Sequence, residues 1–324
     1  MKPRVLVTRR VFPAAIAVLQ EDCLVDYRDT LDVMDEATLA RRLQHCEGVI
    51  SQLTDPITAS VLNAAPKLRI VAQVAVGIDN IDLAAATARR IVVTNTPGVL
   101  TDSTADLTFA LLLATARRLS AAERYLRDGK WQRWDIDLLV GTDVHGQTLG
   151  IVGFGRIGQA VARRASGFGM RVLCATRTPP PSHLLQELRV QHVPLDTLLI
   201  NSDFVSLHVP LSKETHHMIG IDQLARMRRS AILINTARGP IVDEAALTAA
   251  LEEGMIAGAG LDVFEAEPKV QEGLLQLPNV VLLPHIGSAT VATRTRMCVL
   301  AAENCATMLR GERPANPVNP QVLA

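Results

Sequence analysis

The sequence predicts an α/β protein of two domains, each a parallel β-sheet covered by helices on both faces. Three observations carry the prediction. Ten short runs rich in β-branched residues alternate with Ala-rich helical stretches. The runs are apolar nearly end to end instead of alternating with polar residues, as expected of strands buried on both faces. A length of 324 residues also exceeds what one hydrophobic core ordinarily organises.

Taken in order, the first domain has strands at 4–8, 48–52, 68–74 and 91–95. The rhythm then breaks. A long helical stretch, 102–119, leads into another at 120–129 and then into a loop containing Trp131 and Trp134. Strands resume at 148–153, 171–176, 204–208, 231–236, 259–263 and 280–283, with a helix at 159–166 after the first of them. Pro179-Pro180-Pro181 marks a loop. The last segment, 293–309, is helical by pattern and has no strand after it, so it is expected to return to the first domain. The expected domains are therefore 1–100 plus 292–324, which is discontinuous, and 101–291. No internal repeat or low-complexity tract interrupts them.

Composition excludes some classes of function. Basic and acidic residues balance at 33 each, which argues against a nucleic-acid partner, because phosphate binding needs a basic excess on some face. The Arg pairs, such as Arg41-Arg42 and Arg163-Arg164, are scattered and read as solvated helix faces or ends. Cys23, Cys46, Cys174, Cys298 and Cys305 are odd in number and show no CxxC spacing, so they read as reduced core residues of a cytoplasmic protein. The N-terminus runs at once into a strand, leaving no room for a signal peptide. The longest apolar stretch, 107–116, is too short to span a membrane.

Gly153-x-Gly155-x-x-Gly158 would be a weak signal alone. Here it follows the strand Leu149-Gly150-Ile151-Val152 and opens a helix, which is the context a dinucleotide turn requires. The glycines allow the tight turn, the approach of a pyrophosphate and close helix–strand packing, while the helix N-terminus supplies amide donors. The plain alternative is a ligand-free strand–helix turn. The next strand ends in Thr176-Arg177-Thr178, and no Asp or Glu occurs between Gly150 and Gln186. An acid there would hold the ribose 2′-hydroxyl of NAD. A cation with two hydroxyls suits a 2′-phosphate instead, so NADP(H) is expected to be preferred, with NAD(H) possible. The alternative is that Arg177 is solvated or stacks on adenine. His208, at the end of its strand, is expected near the cofactor.

Arg238, Glu267 and His285 each lie where an apolar strand ends in polar residues and Gly or Pro. Reduction of a 2-oxo acid needs a held carboxylate, a polarised carbonyl and a proton for the nascent alkoxide. Arg238 suits the first two, because guanidinium is planar and always charged. His285 suits the third. Glu267 would fix the imidazole's tautomer and keep it protonated until transfer. Each residue has a bland reading as well: a surface ion pair, a turn acid, a structural histidine. Their joint occurrence at strand ends of one nucleotide-binding domain, where ligands bind, favours function. His216-His217 sits in a loop with nothing to complete a metal site, and no metal is expected. His145, His183 and His192 read as surface.

Four stretches carry a resemblance: GIVGFGRIG at 150–158, NTARGPIVDEAAL at 235–247, GAGLDVFEAEP at 258–268 and PHIGSAT at 284–290. In them the chain resembles the D-isomer-specific 2-hydroxyacid dehydrogenases over essentially its whole length. Within that family it is most similar to glyoxylate/hydroxypyruvate reductases, including the 2-ketogluconate reductase type, through VGIDNID at 76–82, NTPGVLTDSTAD at 95–106, GTDV at 141–144 and the Thr-Arg-Thr strand end. The resemblance implies two Rossmann-like domains, the substrate domain flavodoxin-like and discontinuous, with a cleft that closes on substrate. It implies that Arg238 binds the carboxylate and carbonyl, that His285 is the acid/base, and that Glu267, beside the proline, is its partner; the nearer-looking Glu265 is not the match. Asp262 matches a residue near the nicotinamide carboxamide, Thr104 a cofactor-domain contact, and the Val76 and Gly77 amides a substrate-carboxylate loop. The expected cofactor set is Thr104, Gly153, Phe154, Gly155, Arg156, Ile157, Gly158, Thr176, Arg177, Thr178, His208, Pro210, Thr236, Asp262 and Gly287. Leu53, Val76, Gly77, Arg238 and His285 are expected to touch substrate.

The resemblance also implies a homodimer built around the helices near 101–130, with Trp134 a candidate to reach the partner's site. Phosphite dehydrogenase is a weaker match, since it has a Lys where this chain has Val76. Co-repressors on the same fold offer a non-enzymatic alternative, a nucleotide-sensing binding protein; this chain lacks the long tails such proteins would use.

Overall fold

The structure, a computed structural model, describes residues 2–324. It divides into two compact units, one running up to Leu100 and joined by Ser288–Ala324, the other Thr101–Gly287.

Unit 1 contains β1 (Arg4–Val7), α1 (Pro13–Asp22), β2 (Leu24–Tyr27), α2 (Glu36–Leu43), β3 (Gly48–Ser51), α3 (Ala59–Asn63), β4 (Ile70–Gln73), α4 (Leu83–Ala88) and β5 (Val92–Thr94). The five strands are parallel, in the order β2-β1-β3-β4-β5, the flavodoxin-like arrangement. Period-two alternation explains the two cores. Leu6, Val49, Val71 and Val93 point to one face, and Val5, Val7, Ile50, Ile70 and Ala72 to the other.

Unit 2 opens with α5 (Thr101–Ala116) and α6 (Leu119–Arg127). It continues with β6 (Thr148–Val152), α7 (Arg156–Gly167), β7 (Arg171–Ala175), α8 (Ser182–Glu187), β8 (Val190–His192), α9 (Leu195–Asn201) and β9 (Phe204–Leu207). Then come α10 (Ile221–Arg226), β10 (Ile232–Asn235), α11 (Glu244–Glu252), β11 (Gly258–Leu261), α12 (Glu272–Gln276) and β12 (Val280–Leu282). The seven strands are parallel, in the order β12-β11-β10-β9-β6-β7-β8. Leu173, Leu207, Leu233 and Leu261 fill one face; Ile151, Val172, Phe204 and Ile234 fill the other. Fully burying a side chain such as Phe204 stabilises the fold by about 1.5–3 kcal/mol.

The last helix, α13 (Val291–Leu309), belongs to unit 1 and makes it discontinuous. It lies directly on β3. A Cβ at Gly48 would come within 2.8 Å of Cys305 Sγ, so only glycine lets helix and strand approach this closely. Beyond α13, buried Asn319 accepts from the Val93 amide at 2.8 Å and donates to the Ile91 carbonyl at 2.9 Å, tying the tail to β5.

The structure corrects four expectations. Strands β2 and β8 were not expected; each is the edge of its sheet and half-exposed, so neither shows a continuous apolar run. The stretch expected as helix to residue 119 stops at Ala116, because Arg118 takes a left-handed backbone (φ 54°) and α6 starts afresh. Helix α7 begins at Arg156 rather than 159, so Gly158 lies inside its first turn. His192, expected at the surface, is half-buried with Nε2 3.4 Å from the Thr176 carbonyl.

Candidate active site

Strands β10, β11 and β12 are successive neighbours, and Asn235, Leu261 and Leu282 stand level across them at their C-terminal ends. The segments that follow therefore leave one edge of the sheet side by side. They carry Arg238, Glu267 and His285.

The Nδ1 atom of His285 lies 2.8 Å from Oε2 of Glu267. A carboxylate can only accept, so Nδ1 carries the hydrogen and Nε2 faces the other way along the ring. Both side chains are about 30% exposed. Burial alone would raise Glu267, but the His285 hydrogen bond and charge, the Phe264 amide (3.1 Å to Oε1) and the charge of Arg238 together hold its carboxyl below the ordinary value. His285 has a left-handed backbone (φ 51°), a conformation that costs a non-glycine residue on the order of 1–3 kcal/mol. Asp262 secures it: its carbonyl accepts from the His285 amide at 2.9 Å, and its carboxylate accepts from Ile286 and Gly287 at 2.7 and 2.8 Å. Burial pushes that Asp262 carboxyl up, with the two amides opposing. Arg238 stands on a loop pinned by buried Asn235, which accepts from the Ala237 amide (3.0 Å) and donates to the Arg238 carbonyl (2.9 Å).

The glycine turn fits a dinucleotide. Gly153 has φ 93°, and a Cβ there would overlap the His208 carbonyl; one at Gly158 would overlap the Gly153 carbonyl. At Gly155 no atom lies within 4 Å of the Cβ position, so this glycine faces open space where a phosphate would approach. Gly155 is also the N-cap of α7 and supplies no side-chain cap, leaving the first-turn amides to a ligand. Phe154 is buried in the core and Ile157 packs against it, so both offer backbone only, while Arg156 is exposed.

The remaining expected residues fall as follows. Arg177 and Thr178 are exposed at the end of β7, but the Thr176 hydroxyl donates to the Thr178 carbonyl at 2.6 Å and so shapes the turn. Nearby Glu214 is held low first by the Ser212 hydroxyl, with Arg177's charge contributing. His208 retains some surface, yet burial pushes its imidazole down to about 3, and Ser206 Oγ meets its Nε2 at 2.8 Å. Buried Thr236 Oγ1 is 2.9 Å from Thr108 Oγ1, and Thr104 borders Gly287. Pro210 is exposed, its carbonyl accepting from Thr215. In unit 1, half-buried Leu53 follows β3. Val76, 37% exposed, and Gly77 follow β4, and the Val76 carbonyl accepts from Asn95 Nδ2 at 2.8 Å. Sequence reasoning missed Glu244 and gave no role to Glu265 and His217, and the three meet behind Glu267. The acids at 265 and 267 were the available signal: two apart, they would share a face in extended chain, and only the turn at 265–268 lets them point to different partners. Among the described residues no group of three or more His, Cys, Asp or Glu is placed to hold a metal, and no helix is long and apolar enough to cross a membrane.

Residues 109–287 match the family profile "D-isomer specific 2-hydroxyacid dehydrogenase, NAD binding domain". The chain belongs to the D-isomer-specific 2-hydroxyacid dehydrogenases. This dehydrogenase is 54% identical to the glyoxylate reductase of Korarchaeum cryptofilum over 325 residues, covering 100% of this chain and 98% of the relative. It is 49% identical to that of Thermococcus litoralis, with the same coverage. Among solved structures, a Thermus thermophilus protein matches at TM-score 0.91 and 47% identity, over 97% of this chain and 99% of that one. The NADPH-dependent glyoxylate/hydroxypyruvate reductase of Sinorhizobium meliloti, in complex with NADP and malonate, matches at TM-score 0.89 and 38% identity, over 98% of this chain and 97% of that one. As a member of this family the dehydrogenase is an oxidoreductase that uses a nicotinamide cofactor and acts on 2-oxo or 2-hydroxy acids.

Proposed function

We propose that this dehydrogenase reduces glyoxylate to the achiral glycolate, and hydroxypyruvate, with 2-ketogluconate as a larger substrate, to D-2-hydroxy acids, with NADPH preferred over NADH. The observation that carries the reading is the 2.8 Å Glu267–His285 pair with Arg238's charge beside it. Arg238 would hold the substrate carboxylate and polarise the carbonyl. His285 would deliver the proton from Nε2 to the nascent alkoxide while Glu267 stabilises the imidazolium. Reduced nicotinamide bound at the glycine turn supplies the hydride. Leu53, Val76 and Gly77 are assigned to the substrate on the family resemblance.

The cofactor preference rests on Arg177 and Thr178 at the end of β7 and on the absence of an acid there, and the NADP-bound relative supports it. The test is a kcat/KM panel of 2-oxo acids with both cofactors. NADPH should lead for the native chain, and Arg177→Ala should cost about 1.5–3 kcal/mol of that preference, the worth of a hydrogen bond to a charged group. A native preference for NADH would end the cofactor reading. Tight cofactor binding without turnover on any 2-oxo acid would favour a nucleotide-sensing protein instead.

We further propose a cytoplasmic homodimer. All five cysteines are free and buried, which suits a reducing compartment. Helix α6 buries no side chain, and Leu119, Leu126, Trp131, Trp134, Ile136 and Val140 are exposed beside it. A partner copy would cover them. A monomeric mass by light scattering would refute the dimer.

A further inference from the structure

We infer that Glu244, Glu265 and His217 form a clasp that positions Glu267, and through it His285, for proton transfer. The inference rests on the reading of Glu267 as partner of the proton donor. Glu267 hangs from the loop between β11 and α12, and its own hydrogen bonds reach the Phe264 amide within that loop and His285 after β12, but do not fix the loop to the segment after β10. The clasp does. The Glu265 amide donates to Glu244 Oε1 at 2.6 Å, and the Glu244 amide donates back to Glu265 Oε1 at 2.8 Å. These reciprocal bonds stitch the Glu267 loop to the start of α11. His217 Nε2 stands 3.1 Å from the same Glu265 Oε1, and the His217 amide donates to the Pro240 carbonyl at 2.8 Å.

The segment so clasped, 239–244, begins one residue after Arg238. A Cβ at Gly239 would overlap the Phe264 carbonyl, so the backbone bearing Arg238 lies flat against the backbone from which Glu267 hangs. The clasp therefore sets Glu267 relative to both Arg238 and His285. The physical need is clear, because a displacement of about 1 Å in such a constellation can cost as much as 10²-fold in rate. The pairing also explains why acids occupy both 265 and 267: the first faces α11 and the second faces His285.

The test is steady-state kinetics with glyoxylate and NADPH, alongside NADPH affinity and Tm. Glu265→Ala should lower kcat by about tenfold, with KM for glyoxylate, NADPH affinity and Tm nearly unchanged. Glu265→Gln keeps the acceptor oxygen and should restore kcat to within about twofold of the native value. Glu244→Ala, which orphans the Glu265 amide, provides a second route to the same loss. Adding Glu265→Ala to Glu267→Gln should cost little beyond Glu267→Gln alone, because both act through one pair. Full kcat in Glu265→Ala and Glu244→Ala, or a loss shared equally by NADPH affinity and Tm, overturns the clasp. Full kcat in Glu267→Gln overturns the site reading and the clasp together.

Discussion

His285 is placed by its backbone as much as by its side chain. Its left-handed φ of 51° persists because three amides, its own and the next two, are all taken by Asp262. A strained residue so firmly held points to chemistry at that spot. His285→Ala should lower kcat for glyoxylate by about 10²–10⁴-fold, the usual worth of a general acid, while NADPH titrations stay close to native; unchanged turnover would remove His285 as the donor. Glu267 makes a second, pH-dependent prediction. Its folded carboxyl titrates below its ordinary value, so the stability it contributes is present at neutral pH and is lost as pH falls through the folded titration. The Tm deficit of Glu267→Gln should thus be largest near neutrality and shrink below about pH 4, the ordinary carboxylate range. A deficit that stays constant down to pH 3 would argue against the pairing. Arg238, Glu267 and His285 were legible in sequence because each ends a strand with Gly or Pro close by. The Glu244–Glu265 pairing was not, since it joins residues 21 apart whose meeting depends on β10 and β11 being neighbours.

Among the elements, ten of the twelve strands were legible because both faces of each sheet are buried and the strand interiors are apolar but for a few residues such as Ser206. The two that were not, β2 and β8, are edges whose residues are mostly polar or half-exposed, so the apolar pattern lapses there, whereas the other two edges, β5 and β12, keep theirs. Turns differ in what their glycines do, and the difference can be measured. Gly239 has no room for a Cβ, so Gly239→Ala should lower stability by about 1–3 kcal/mol, as overpacking does, and reduce kcat with it. Gly155 faces open space, so Gly155→Ala should leave Tm unchanged and weaken only cofactor affinity. The reverse pattern in thermal melts and NADPH titrations would show that the two turns have been assigned the wrong way round.

For the molecule as a whole, discontinuity has a consequence for synthesis. The sheet of unit 1 emerges from the ribosome first, yet one of its faces is covered by α13, which is made near the end of the chain. Until then Ile50, Ile70 and Ala72 have no Cys305 or Leu309 to pack on. Unit 2 is a single uninterrupted segment and needs nothing made after Gly287. Vectorial synthesis ordinarily lets N-terminal domains fold first; here the middle of the chain should fold before its beginning. A chain stopped at Gly287 should yield a protease-resistant core covering 101–287, with residues 1–100 digested. Equal resistance of both parts would show that the first sheet does not wait for its last helix.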